Sequence, residues 1–166
     1  MADSAIGDAI SAAVGYVTEH PDEARYTDSE ATAILRKGLA VTVTGPDGAT
    51  VHTDMPTSVG GRGAGPSPGW LLRAAQASCL ATLIAMRAAQ LGVECGPIEV
   101  VVDSESDDRG ILGIDDSIPS GPLSSRARVQ VSVAGSSLED LVSWADLHCP
   151  VQDAVRRAVP STVTLE

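Results

Sequence analysis

The residues best able to do chemistry in this chain are thiols. There are three cysteines, Cys79, Cys95 and Cys149. Cys149 stands directly before Pro150 in "LHCPVQDAV", residues 147–155. A residue before proline is pushed out of helical geometry, and proline suits the first position of a helix. Cys149 is therefore expected to cap a helix that Pro150 starts. Free backbone N–H groups and the positive end of the helix dipole would then face its sulfur, lowering the thiol pKa and raising the thiolate fraction. The same placement also suits an inert thiol packed at a bend. Cys79 lies mid-helix among small residues and Cys95 just before a strand, and packing alone accounts for either position. His148-Cys149 does not make a metal site, because neighbours on a helix point about 100° apart and no second ligand pair occurs. His20 and His52 are isolated, so no triad can be assembled from them. Neither a metal nor a cofactor is expected.

These thiols must be positioned by the elements around them. A helix is expected to start at Ser67-Pro68, with serine as cap and proline at the first helical position. It runs through "PGWLLRAAQASCLATLIAMRAAQLG", carries Cys79, and stops near Gly92. Arg73, Gln76, Arg87 and Gln90 apart, it is apolar or small on every side, which predicts burial on most faces. Ala74, Ala75, Ala77, Ser78 and Ala81 permit close approach of another helix. A second helix is expected after Ser136-Ser137, where Ser136 with Glu139 or Ser137 with Asp140 makes a capping box. Leu138, Leu141, Val142 and Ala145 form its inner face, and Pro150 ends it and opens a third, short helix. Strands are expected in "EATAIL", in a hairpin over 39–54 turning at "GPDG", at 97–106, at 126–133 and in the closing "PSTVTL". Residues 107–125 read mostly as loop, with a short helical turn near 114–117. At the N-terminus, Ile6, Ile10, Ala13, Val14 and Val17 recur at helical spacing over 3–19, and a polar linker follows to residue 29. "VGGRGAGPSP", 59–68, is Gly-rich, but no Gly-Lys-Ser/Thr follows, so it is not a phosphate loop.

Composition bounds the function classes. At 166 residues and 43% hydrophobic, the chain can bury roughly 70% of its unfolded surface in one domain. With two Trp, two Tyr and no Phe, the core must be aliphatic. The net charge of −11 argues against nucleic acid or an anionic membrane as partner, since both need clustered Lys and Arg. No basic leader or run of 18 apolar residues is seen, so neither export nor a membrane span is expected. An odd number of cysteines without a CxxC pair suits free thiols in a reducing cytoplasm.

"VGGRGAGPSPGWLLRAAQASC", a long helix, and "HCPVQDAVRR" before an expected final strand together resemble the osmotically inducible protein C and organic hydroperoxide resistance family (OsmC/Ohr-like). The matching features are Gly60-Gly61, Pro68, Cys79 and Cys149-Pro150, and the resemblance covers about residues 30–166, leaving 1–29 as an N-terminal helix and linker outside it. It implies an α+β, OsmC-like intertwined homodimer, with strands wrapped around two central helices and each active site built where subunits meet. It implies thiol-dependent reduction of organic hydroperoxides. Carried over, Cys79 is the peroxide-attacking thiol, Cys149 the resolving one, and Arg36 in "AILRKGLAV" the arginine that activates Cys79, with a dithiol reductant as partner. The family's glutamate after the helix-starting proline is replaced here by Gly69, and the insertion at 107–122 also departs from the pattern.

On that reading the Cys79 thiolate attacks a peroxide oxygen, an alcohol leaves and a sulfenic acid forms. Cys149 then closes a disulfide, which requires α-carbons roughly 4.4–6.8 Å apart. Retention of both cysteines favours this peroxidase. The missing glutamate favours a non-peroxidatic member with a small-ligand-binding or structural role. A replacement acid holding Arg36 predicts a Cys79 pKa clearly below the ordinary thiol value, whereas an unheld Arg36 predicts one near it.

Overall fold

The computed structural model describes residues 4–133 and 138–165. Five α-helices and five strands follow in the order α1 (Ser4–Glu19), β1 (Thr32–Leu35), β2 (Val41–Thr44), β3 (Thr50–Thr53), α2 (Pro68–Gln90), β4 (Glu99–Glu105), α3 (Asp108–Ile111), β5 (Ser124–Gln130), α4 (Leu138–His148) and α5 (Pro150–Arg156). The chain divides into two compact units, one of Met1–Gly15 with Arg73–Glu166 and one of Tyr16–Leu72.

The Tyr16–Leu72 unit holds an antiparallel sheet in the order β1-β2-β3. The β2–β3 hairpin turns at Asp47 (φ 55°) and Gly48 (φ 79°), as the "GPDG" signal predicts. The Gly-rich loop then folds back on β3. Asp54 is buried, and its carboxylate accepts the backbone N–H groups of Met55, Arg62 and Ala64 at 2.8, 3.1 and 3.1 Å. Those amides hold its carboxyl below the usual carboxylate range, Ala64 most strongly, with burial working against them. Glycine is required at 61: a Cβ there would lie 1.8 Å from the Met55 carbonyl oxygen.

In the other unit, β4 and β5 pair antiparallel, with Asp103 opposite Arg126. The buried apolar side chains are Leu80, Ile84 and Ala88 of α2, Leu141 and Ala145 of α4, and Cys149. The Arg87 guanidinium lies 4.9 Å over the Trp144 ring and joins α2 to α4. Gly92, at φ 67°, ends α2 in a left-handed turn in which Val93 N–H reaches the Ala88 carbonyl at 2.8 Å. The first half of α1 packs on this unit through Gly7, where an added Cβ would sit 2.7 Å from the Ala89 carbonyl oxygen.

Several expectations are corrected. Full burial in α2 is confined to Gln76, Leu80, Ile84 and Ala88, a stripe at spacing four, and the residues flanking it are mostly half-buried rather than covered. Among the described residues α2 is also the one helix long and apolar enough to cross a membrane, whereas no such span is expected from the sequence. It carries only Arg73 and Arg87 as charges, yet its side chains bond into β4 and β5 of this unit. Residues 160–165 form no strand, because strand propensity without a pairing edge does not fix a chain. The helical turn of the 107–122 segment falls at Asp108–Ile111, not at 114–117: Asp107 caps it by accepting Arg109 N–H at 3.0 Å and holds the Arg109 side chain as well. The capping residues expected at 136–137 lie outside the described residues.

Candidate active site

Cys79 is carried by α2 and Cys149 caps α5, both within the unit that includes Arg73–Glu166. The N-terminus of α2 forms as its sequence predicts: Ser67 Oγ accepts Trp70 N–H at 3.2 Å. At α5, Cys149 is extended (φ −76°, ψ 114°) and Pro150 is the first helical residue, also as expected. The cap differs in one respect. The Cys149 side chain takes no hydrogen bond from its own helix. Pro150 has no N–H, so Val151 supplies the first amide, and that amide favours the thiolate of Cys79.

Cys149 is the neighbouring thiol that acts on Cys79. Cys149 is fully buried and Cys79 half-buried, and all three cysteines are free. Burial pushes the Cys79 thiol up, and the Cys149 thiol pushes it further; the Val151 amide, which favours the thiolate, opposes both. A replacement acid would have held it down, so the sign is opposite to that expectation. Cys95 is likewise pushed up by burial, and it pairs by backbone with Val133.

Around the pair runs a polar chain that is not evident from the sequence. Gln76, one turn before Cys79, is buried at 2% exposure. Its Nε2 donates to Gln152 Oε1 at 2.7 Å and to Ser125 Oγ at 3.1 Å. Gln152 Nε2 donates to Asp146 Oδ1 at 3.1 Å, and Arg156 grips both Asp146 oxygens. The one available signal was a lone amide on an otherwise apolar helix face. Arg73 Nη1 donates to Ser104 Oγ at 3.2 Å and so is tied to β4.

Arg36 belongs to the other unit. It lies just past β1 and lines an open groove of about 370 Å³ with Ile34, Lys37, Ala40 and Thr42. Gly69 sits in the first turn of α2, where an added Cβ would meet nothing closer than Ser67 Oγ at 3.9 Å, so the glycine there is not demanded by space. Among the described residues no cluster of His, Cys, Asp and Glu could hold a metal ion.

Comparison with known proteins gives one family. The profile described as "OsmC-like protein" matches residues 61–164. No curated protein matches the chain. Among solved structures, an organic hydroperoxide resistance protein of Legionella pneumophila is 20% identical, with a TM-score of 0.57 over 80% of this chain and 91% of that one. An OsmC-like protein of Mycoplasma pneumoniae is 12% identical, with a TM-score of 0.67 over 80% and 89%. An organic hydroperoxide resistance protein of Elizabethkingia anophelis is 18% identical, with a TM-score of 0.56 over 80% and 91%. At these identities the likeness is one of fold.

Proposed function

The chain belongs to the OsmC-like protein family, and we propose that it is a cysteine peroxidase that reduces organic hydroperoxides through Cys79 and Cys149. The observation that carries this reading is the placement of the two thiols: Cys79 on α2 and Cys149 at the start of α5 lie in one unit, where Gln76, one turn before Cys79, is bonded to Gln152, three residues after Cys149. An attacking sulfur needs stabilisation of its anion, and a resolving sulfur needs only proximity.

In the proposed cycle the Cys79 thiolate attacks the terminal peroxide oxygen. The O–O bond breaks, the alkoxide takes a proton and leaves as the alcohol, and Cys79 becomes a sulfenic acid. The sulfur of Cys149 then attacks that of Cys79; water leaves and a disulfide forms. A dithiol reductant returns two electrons and two protons. The core of this unit is aliphatic, with Leu80, Leu141 and Ala145 buried, which suits an organic peroxide. Arg36 is assigned as the activating cation from its match to the family position, the subunit as half of a homodimer, and the cytoplasm as its compartment.

The raised Cys79 pKa favours a second reading, a member of the family that keeps its thiols protonated and binds a small ligand without turning over peroxide. Cysteine variants separate the two. With cumene hydroperoxide and dithiothreitol, Cys79→Ser is expected to lose all peroxide consumption above background. With one equivalent of peroxide and no added thiol, Cys149→Ser is expected to accumulate a dimedone-reactive sulfenic acid on Cys79, where the native protein forms a disulfide. Failure of Cys149→Ser to accumulate more sulfenic acid than the native protein would remove the resolving role, and no peroxide loss in the native protein would leave the second reading.

A further inference from the structure

Burying a glutamine on a helix that otherwise buries Leu80, Ile84 and Ala88 is costly unless every polar atom is satisfied. Gln76 meets that condition. Its Nε2 has two acceptors, and its Oε1 accepts from Ser125 Oγ at 3.3 Å. The polarity of the chain is fixed from its far end. The Asp146 carboxylate can only accept, so the Gln152 amino group faces Asp146 and the Gln152 carbonyl faces Gln76. Gln76 must then donate, which it does at 2.7 Å.

This network reaches the thiols from two directions. Gln76 and Cys79, three residues apart, share a face of α2. Gln152 follows Val151 directly, in the first turn of α5. That turn has no side-chain cap of its own, since Cys149 does not bond to it. Gln152, anchored between Gln76 and Asp146, ties that turn to α2 and α4, while Arg156 ties the following turn to Asp146.

We propose that Gln76 is a positioning residue for the thiol pair: through Gln152 it fixes the first turn of α5, which Cys149 precedes and which holds the Val151 amide, against the stretch of α2 that carries Cys79. The proposal rests on the reading of Cys79 as the reactive thiol. The titratable group set against Cys79 is Cys149, while the charged members of the network, Asp146 and Arg156, face Gln152.

The test is the pH dependence of iodoacetamide alkylation at each cysteine of the reduced full-length protein, resolved by peptide mass. The native chain is compared with Gln76→Leu, Gln152→Leu and the double variant. A midpoint reports the thiolate equilibrium and is not moved by a change in access alone. Losing the amide contact takes stabilisation from the thiolate, so the Cys79 midpoint is expected to rise in each single variant. The thiolate fraction at pH 7 should fall roughly threefold to tenfold. Cys95, a half-buried thiol outside the network, should keep its midpoint, and the double variant should shift no further than either single one. An unchanged Cys79 midpoint in folded Gln76→Leu would overturn the proposal, as would a Cys95 midpoint that moves with it, which marks general loosening. Should Gln76→Leu fail to fold, Gln152→Leu carries the test on the same terms. No peroxide is used, so failure of the peroxidase reading leaves this result intact.

Discussion

Cys79 is poised by opposed effects: burial and the Cys149 thiol raise its pKa, and the Val151 amide lowers it. The first two prevail. Since the thiolate is the nucleophile, a raised pKa means that little of it is present at neutral pH and that reactivity grows with pH through and beyond the ordinary thiol value near 8.5. Stopped-flow peroxide consumption by the native protein is therefore expected to climb about tenfold per pH unit from pH 6 and to show no plateau by pH 8.5. A profile flat above pH 7 would mean that the thiol is held down. If Arg36 activates Cys79, Arg36→Ala moves the titration to higher pH; identical curves for the two proteins would remove Arg36 from the machinery. Gly69 belongs to the same question, since space permits a larger residue there and the family's acid is nonetheless missing.

Among the elements, those with local signals were readable from the sequence. Ser67-Pro68 opens α2, Gly92 closes it, and Cys149-Pro150 starts α5, because caps and prolines act within a few residues. What depended on distant partners was not readable. The strand expected over 160–165 lacks a pairing edge, and Gln76 and Gln152 meet across 76 residues of sequence. Asp54 is a similar case. Nothing near "HTDMP" marks it as the clamp of the Gly-rich loop, since its partners at 62 and 64 come from the far side of that loop. Asp54→Asn replaces an acceptor of three amides with a group that has one acceptor oxygen, so the loop should open more often. Tryptic cleavage after the exposed Arg62 is expected to quicken about tenfold relative to the native chain, with other sites unchanged. Equal cleavage rates would show that the carboxylate does not hold the loop.

Taken whole, the molecule leaves much apolar surface uncovered. Trp70 and Leu72 of α2 are 49% and 37% exposed, Val14 and Val17 of α1 are 53% and 45%, and Leu147 of α4 is 74%. In the proposed dimer, a second copy would cover the faces of α2 outside its buried stripe. Sedimentation at micromolar concentration is expected to give one species of twice the 16.9 kDa chain mass, and a stable folded monomer would contradict the dimer. The peroxidase reading needs its own test, because a dimer of this family could form without it. The most direct one treats the reduced native protein with one equivalent of cumene hydroperoxide, counts the alcohol formed, and maps disulfides by peptide mass. One equivalent of alcohol per chain with a Cys79–Cys149 crosslink is the predicted result. Intact hydroperoxide with three free thiols, or a disulfide that includes Cys95, would contradict it.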